Sequence, residues 1–428
     1  MASTALCDTR LIRPTRQRSP VKLLNIIGSH VGRLGIDPTR LDPEELCREA
    51  ERRTGLDDFG DDSFREPLKV LLDAIQRESH LHMVGRRLMR KQILGRLCVR
   101  LGMQAYWKRR PEVLEMPVVR PLVIVGLPRS GTTFLFNLLA QDPAHRWLPN
   151  WEALNPVPPR ADPDRRRDRA IRTNRVLDWL VPEMRGKHAF AADNPSECFH
   201  LLLATFETEI FPFIIDVPSY RAWLGDRNRV ASYRFYRDQL RVLQNERRRE
   251  RWLLKSPFHI FSLDALLSVL PDACIVYTHR HPVQAMPSAC SLAASFRDLY
   301  AERLDCGELG RGIIEHFACG MNRCLNVRAK TDASRYCDVD YRMLIREPMA
   351  VVDRIYRQFG FTLNAAAVAR MRSYMADNPQ GKHGSHRYSL EDFGLDVETV
   401  SSAFKPYIDK FGVNLEAHRG AGARVMTI

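Results

Sequence analysis

Residues 121–133 read Pro121-Leu-Val-Ile-Val-Gly-Leu-Pro-Arg-Ser-Gly-Thr-Thr133, and this stretch decides the fold. Leu122 to Gly126 is a run of apolar and small residues of the kind that forms a strand buried on both faces. Leu127 to Ser130 makes a tight turn, and Gly131-Thr132-Thr133 opens a helix that continues through Phe134, Leu135, Leu138 and Leu139. A strand that turns sharply into a helix aims backbone N–H groups and the positive end of the helix dipole at one point. A phosphate or sulfate binds at such a point. A simple connection needs the glycines, but it has no need of an arginine and three hydroxyls in one turn.

The spacing from Gly126 to Gly131 is that of a P-loop, yet Thr132 stands where the P-loop lysine belongs. The positive charge has moved into the turn as Arg129. A nucleotide kinase or NTPase using this loop lacks its phosphate-binding lysine and is the weaker reading. Further along, Trp252-Leu-Leu-Lys-Ser-Pro-Phe-His259 predicts a strand ending at Lys255 and a helix capped by Ser256, with Pro257 first. That helix is expected to run through Leu263, Leu266, Leu267 and Leu270 to a stop at Pro271. Ala273 to Thr278 predicts another strand, followed by His279-Arg280-His281-Pro282 and, eight residues after Arg280, by Ser288. An arginine at a strand's C-terminal edge and a serine on the next helix can grip one phosphate together. Ligands of open α/β sheets bind at such edges. Alone, Arg280 suits a carboxylate equally well; with the first loop it reads as the second clamp for a nucleotide with two anionic groups.

Carrying these motifs, the chain resembles the sulfotransferase family, in particular its bacterial-type branch with a long helical N-terminal extension. The resemblance covers residues 115–415. It implies transfer of a sulfuryl group from 3′-phosphoadenosine 5′-phosphosulfate (PAPS) to an acceptor hydroxyl, less readily an amine. It also implies that Pro128, Arg129, Ser130, Gly131, Thr132, Thr133 and Phe134 hold the 5′-phosphosulfate. Arg280 and Ser288 then hold the 3′-phosphate, and Tyr341, in Asp340-Tyr-Arg-Met-Leu344, lies near the adenine. Asp338 to Tyr341 reads as a further strand. Gly381 to Tyr388 resembles the loop that closes over the 3′-phosphate, with Lys382, His383 and Gly384 as contacts; the alternative is a solvated basic loop. The chain departs from the family pattern at Arg129, often Lys, at Phe134, often Trp, and at His281, usually Asp in this branch.

Sulfuryl transfer, like phosphoryl transfer, has a loose transition state with charge growing on the leaving oxygen, so positioning and electrostatics dominate. Arg129, Lys255 and the amides of Gly131 to Thr133 are the expected neutralising groups, with no metal. The acceptor hydroxyl needs a general base. His259, four residues after Lys255, is narrowly preferred; its alternative is a packed helix residue. Glu197, in Asp193-Asn-Pro-Ser-Glu197, is the second candidate, and its alternative is an acid that complements a helix dipole.

Lys and Arg number 65 against 51 Asp and Glu in 428 residues, a net charge of +14. The excess suits a polyanionic donor and an anionic membrane surface, where lipid-linked acceptors are found. A basic nucleic-acid-binding protein is the rival from another class, but the chain lacks a basic–aromatic binding motif. Two arginine runs, Arg165-Arg166-Arg167 with Arg169, Arg172 and Arg175, and Arg247-Arg248-Arg249 with Arg251, read as solvated helix faces. The ten cysteines form no Cys-x-x-Cys pair and fit a reducing cytoplasm, with the enzyme peripheral to the membrane at most. No stretch has transmembrane length, and no signal-peptide pattern is seen.

The expected fold is α/β: a P-loop-like three-layer core around a parallel sheet of four or five strands, plus an N-terminal helical extension. Residues 1–22 read as a disordered basic tail, with a transit peptide as the alternative. Residues 23–112 read as the extension, with helices opening at Asp42-Pro43 and at Ser63 and ending before Pro111. This extension also offers a surface for a homodimer. Residues 113–415 form the α/β domain, and 416–428 a C-terminal tail. Within the domain, 151–245 is an insertion rich in aromatics, including Phe206, Phe211 and Phe213. It is expected to line an acceptor pocket for a small-molecule or lipid-linked, preferably apolar, alcohol.

Overall fold

The computed structural model describes residues 12–14, 20–26, 39–159, 163–181, 191–379 and 389–415. Five strands build one sheet: β1 (Leu122–Gly126), β2 (His145–Arg146), β3 (Arg251–Lys255), β4 (Cys274–His279) and β5 (Tyr336–Asp340). Their order is β2-β3-β1-β4-β5, and every pairing is parallel. β1 and β4 are buried at every position, as a sheet covered on both faces requires.

Side chains alternate between the two faces. Leu122, Ile124, Leu253, Cys274, Val276, Cys337 and Val339 face the helices Thr132–Leu139, Pro348–Phe359 and Ala365–Asp377. Val123, Val125, Trp252, Leu254, Ile275 and Tyr277 face the opposite, larger core. Helices on both faces of the sheet make three layers.

The N-terminal extension belongs to that larger core. Its helices Pro43–Thr54, Arg65–Glu78 and Met83–Arg109 contribute Leu46, Leu68, Leu72, Ile93, Leu97 and Leu101 to the apolar cluster that contains Val123 and Leu254. Arg100 fixes the turn between these helices: it is buried, donates to the carbonyls of Phe59 (2.7 Å) and Asp61 (2.9 Å), and lies over the rings of Phe64 and Phe235. Among the described residues no helix is long and apolar enough to cross a membrane.

Four details differ from the sequence expectations. Ile12–Pro14, within the presumed disordered tail, pairs antiparallel with Arg303–Asp305. The helix expected to open at Ser63 starts at Arg65, and the preceding turn is capped by Asp61, whose carboxylate accepts from Ser63 N–H. The helix after Lys255 is two pieces, a 3-10 turn at Pro257–Phe261 and an α-helix at Leu263–Val269. The Ser256 cap is present and accepts from Phe258 N–H at 3.2 Å. Lastly, Phe206, Phe211 and Phe213 are buried in the core, packed on Phe64, Tyr220, Phe258 and Phe317.

The register aligns the C-terminal ends of the strands. Gly126 lies opposite Thr278, Ile124 opposite Lys255, and His279 opposite Asp340. Gly126 has φ 147°, and a Cβ there would sit 2.5 Å from Thr278 Oγ1 and 2.6 Å from its carbonyl oxygen. We expect Gly126→Ala to lower the unfolding free energy by about 2–3 kcal/mol through backbone strain and overpacking, measured by urea denaturation.

Candidate active site

The turn after β1 has the form expected of an anion cradle. Helix Thr132–Leu139 starts at Gly131, φ 88°, and no side chain caps it, which leaves its first N–H groups for a ligand. Arg129 has φ 66°, a left-handed conformation that costs roughly 1–2 kcal/mol for a residue with a Cβ. Non-glycine strain of this kind marks functional turns. Ser130 is fully buried; its hydroxyl donates to the Leu127 carbonyl at 2.6 Å and lies 2.6 Å from Thr278 Oγ1. It braces the turn. Thr132 is buried as well, whereas Thr133 is exposed and Phe134 half-buried. A Cβ on Gly131 would lie 3.0 Å from the Tyr341 ring, so the loop and Tyr341 approach as closely as glycine allows.

Arg280, just past β4, reaches the same turn. Its Nη1 donates to the Arg129 carbonyl at 2.8 Å, and its guanidinium lies 4.2 Å from the centre of the Tyr341 ring. The backbone N–H of Arg280 donates to the Tyr407 hydroxyl at 3.3 Å. Burial, and then the neighbouring Arg129, hold the Arg280 guanidinium below its usual range, partly offset by Tyr341. Its Nε has no hydrogen-bond partner among the described residues. A buried cation beside a second cation, with one donor unused, fits a site for a phosphate. Ser288 is buried on the next helix, Pro282–Tyr300. His281 caps that helix, accepting from Val283 N–H through Nδ1 at 3.3 Å, so histidine performs the capping that an aspartate would.

Lys255 ends β3 beside β1. It is 2% exposed, and its Nζ donates to Glu197 Oε1 at 2.5 Å and to Thr133 Oγ1 at 3.3 Å. Glu197 is 16% exposed and immediately precedes the 3-10 turn Cys198–Leu201. The lysine absent from the P-loop position therefore arrives from the neighbouring strand.

His259 is placed differently from the role preferred in the sequence. It is completely buried, Nδ1 lies 2.8 Å from the Tyr233 hydroxyl, and Nε2 lies 3.1 Å from Cys198 Sγ. Both ring nitrogens are occupied, leaving none open to an acceptor. Burial pushes its pKa down to about 3 and the Cys198 thiol up to about 12, so both are neutral. Cys198 also donates to the Lys255 carbonyl at 3.3 Å. Tyr233, His259 and Cys198 thus form a neutral chain that fixes the backbone on both sides of the Lys255–Glu197 pair. Sequence reasoning missed Cys198, Tyr233, Thr278 and Tyr407; only Cys198, next to Glu197, carried a hint. Lys382, His383 and Gly384 lie outside the described residues.

An anion-binding turn without the P-loop lysine, facing a buried lysine from the adjacent strand, sets this chain among P-loop-like transferases rather than NTPases. Residues 121–365 match the model of the sulfotransferase family, and the chain belongs to that family. The omega-hydroxy-beta-dihydromenaquinone-9 sulfotransferases Stf3 of Mycobacterium bovis and Mycobacterium tuberculosis are each 25% identical over 313 residues, covering 68% of this chain and 75% of theirs. The crystal structure of sulfotransferase STF1 from M. tuberculosis H37Rv matches with TM-score 0.72 at 35% identity, over 85% of this chain and 98% of that one. That of sulfotransferase STF9 from Mycobacterium avium matches with TM-score 0.79 at 32% identity, over 87% and 97%.

The buried histidine has a consequence for acid stability. Folding depresses the His259 pKa from 6.5 to about 3, so its stabilising contribution is complete above pH 6.5 and is lost as pH falls toward 3. His259→Gln should be less stable than the parent at pH 7. Between pH 6.5 and 4.5 it should lose about 2 kcal/mol less, the slope rising to about 1.4 kcal/mol per pH unit only below pH 6.5, in urea titrations of both proteins.

Proposed function

We propose that the protein transfers a sulfuryl group from PAPS to the hydroxyl of a lipid-linked alcohol, with Glu197 as the general base. The observation that carries this reading is the contact of Lys255 with both Glu197 and Thr133, which joins a proton acceptor to the anion cradle through one cation. The cradle fits the donor: neither Gly126 nor Gly131 has room for a Cβ, and Arg280 keeps an unused Nε donor. The turn amides, Arg129 and Thr133 are assigned to the 5′-phosphosulfate. Arg280 and Ser288 are assigned to the 3′-phosphate, with Tyr341 beside the adenine; Pro128, Phe134, Lys382, His383 and Gly384 are the remaining proposed contacts.

Each residue then has a physical task. Lys255 and Arg129 neutralise charge on the leaving phosphate oxygen as its bond to sulfur breaks. Glu197 accepts the proton of the acceptor hydroxyl as its oxygen bonds to sulfur. Lys255 is poised to shift from Glu197 toward the leaving oxygen in the same motion, because it already bridges the two sides. His259, with Tyr233 and Cys198, is a positioning residue.

The acceptor class rests on the curated relatives, whose name specifies a hydroxylated dihydromenaquinone. Half-buried Phe199, two residues after Glu197 and packed edge-on against Phe258, puts an apolar ring near the proposed base.

Glu197→Gln should lower kcat by about 10²–10⁴ while the protein still binds 3′-phosphoadenosine 5′-phosphate at least as tightly as the parent, as expected for removal of a general base whose charge also pairs the anion-binding Lys255. A kcat within tenfold of the parent, in assays with PAPS and a hydroxylated isoprenoid quinone, would overturn the role of Glu197. Arg280→Ala should weaken 3′-phosphoadenosine 5′-phosphate roughly 100-fold through loss of charge-assisted hydrogen bonds, but AMP only slightly. Equal losses in calorimetry would remove Arg280 from the 3′-phosphate.

A further inference from the structure

Arg280 is the first residue past β4, and its side chain and backbone are held from different sides. The guanidinium is steered by the Arg129 carbonyl and the Tyr341 ring. The backbone meets one hydroxyl, that of Tyr407 on the helix Lys405–Phe411. This hydroxyl accepts from Arg280 N–H at 3.3 Å, and the Arg280 carbonyl lies 3.5 Å from it. Tyr407 is fully buried and stands 127 residues further along the chain.

The hydroxyl is itself oriented. His279 Nδ1 lies 3.3 Å from it, and His279 Nε2 lies 2.7 Å from Asp338 Oδ1 on β5. Arg328 grips both Asp338 oxygens, at 2.7 and 2.9 Å. An ion-paired carboxylate only accepts, so it draws the single proton of a neutral imidazole to Nε2. Nδ1 is then an acceptor, the Tyr407 proton points to it, and the phenol oxygen keeps its lone pairs for Arg280 N–H. Burial lowers the His279 pKa, with Asp338 opposing, which favours the neutral ring that this order needs. The donors thus run one way, from Arg280 through Tyr407 and His279 to Asp338. Rings pack the chain in place: His279 stacks on Tyr277 at 4.8 Å and lies 4.1 Å from Phe411, centre to centre.

We propose that Tyr407 is a positioning residue for the 3′-phosphate clamp: its hydroxyl, oriented by His279 and Asp338, fixes the Arg280 backbone so that the guanidinium meets the phosphate. This rests on the assignment of Arg280 to the 3′-phosphate and deepens it. Selectivity for the 3′-phosphorylated nucleotide then depends on a helix near the C-terminal end of the chain. A guanidinium ends a long flexible side chain, and fixing the backbone at its root removes part of the ordering cost of each contact it makes.

The test is calorimetric titration of the full chain with 3′-phosphoadenosine 5′-phosphate and with AMP, comparing the parent with Y407F, R280A and Y407F/R280A, and with H279F and F411L. Y407F keeps the ring and removes the hydroxyl. It should bind the 3′-phosphorylated ligand about tenfold more weakly, the worth of roughly one hydrogen bond, and AMP within about twofold of the parent. In assays with PAPS its KM should rise by a similar factor while kcat stays within about threefold, because the clamp is remote from the breaking bond. The double variant should bind the 3′-phosphorylated ligand within about twofold of R280A, since no guanidinium is left to position. H279F keeps a ring but leaves the hydroxyl unoriented. It should show the same selective loss, smaller than that of Y407F, and it decides the matter if Y407F does not fold. F411L loosens the same ring packing without touching the hydrogen bonds, and should keep the parent's preference for the 3′-phosphorylated ligand. Four results would overturn the proposal: Y407F or H279F with the parent's preference, equal loss of both ligands, a loss that adds in full to that of R280A, or an F411L variant as unselective as Y407F. If R280A itself weakens both nucleotides equally, the 3′-phosphate assignment fails and the proposal fails with it. If R280A is selective and Y407F is not, only the positioning role fails.

Discussion

A lysine almost wholly removed from water must be matched by negative charge, and the site is organised around that demand at Lys255. An ammonium transferred to the protein interior without a partner costs several kcal/mol and tends to lose its proton. Glu197 supplies the match, 2.5 Å away. The carboxylate comes from a loop, so its position depends on what holds that loop. Cys198 is held from below by His259 and by the Lys255 carbonyl, and His259 in turn by Tyr233 on the helix Val230–Glu246. A neutral hydrogen-bonded chain suits this task, since it adds no field of its own to a pair whose charge must be free to respond to a bound anion.

The same economy of charge recurs through the interior. Glu209 is buried with Arg229 and His316, and the Arg229 guanidinium, set against the cost of burial, holds its carboxyl down at about 2. Arg146 and Arg247 share buried Glu152 beneath β2, and Arg297 joins Asp216. Arg227 bridges Glu207 and Glu66, which links the N-terminal extension to the region before β3. A part of the arginine content of the sequence is therefore internal and structural.

The legible parts of the fold were those whose physics is local. β1, β3 and β4 are buried on both faces and so appear as apolar runs; the cap at Asp42 and the left-handed Gly55 announce their helix in the same local way. β2 could not be read, because it is only two polar residues, made interior by pairing of Arg146 with Glu152 and of His145 with the Leu139 carbonyl. Arg129, Lys255 and Arg280 were legible from strand ends, and the register brings those ends together. Whether His259 faces a substrate or the core depends on Tyr233 and Cys198, which lie 26 and 61 residues away in sequence. The aromatic residues of the insertion posed the same problem: Phe206 and Phe211 look alike as core or as pocket lining until the partners that cover them are known.

The central claim is that this edge of the sheet holds a nucleotide with anionic groups at both the 5′ and 3′ positions. Calorimetric titration of the full chain with 3′-phosphoadenosine 5′-phosphate, against ATP and AMP, tests it most directly. The account predicts binding of the 3′-phosphorylated ligand at least about 100-fold tighter than either control, in line with one buried arginine–phosphate contact. Equal affinity for all three, or preference for ATP, would contradict it.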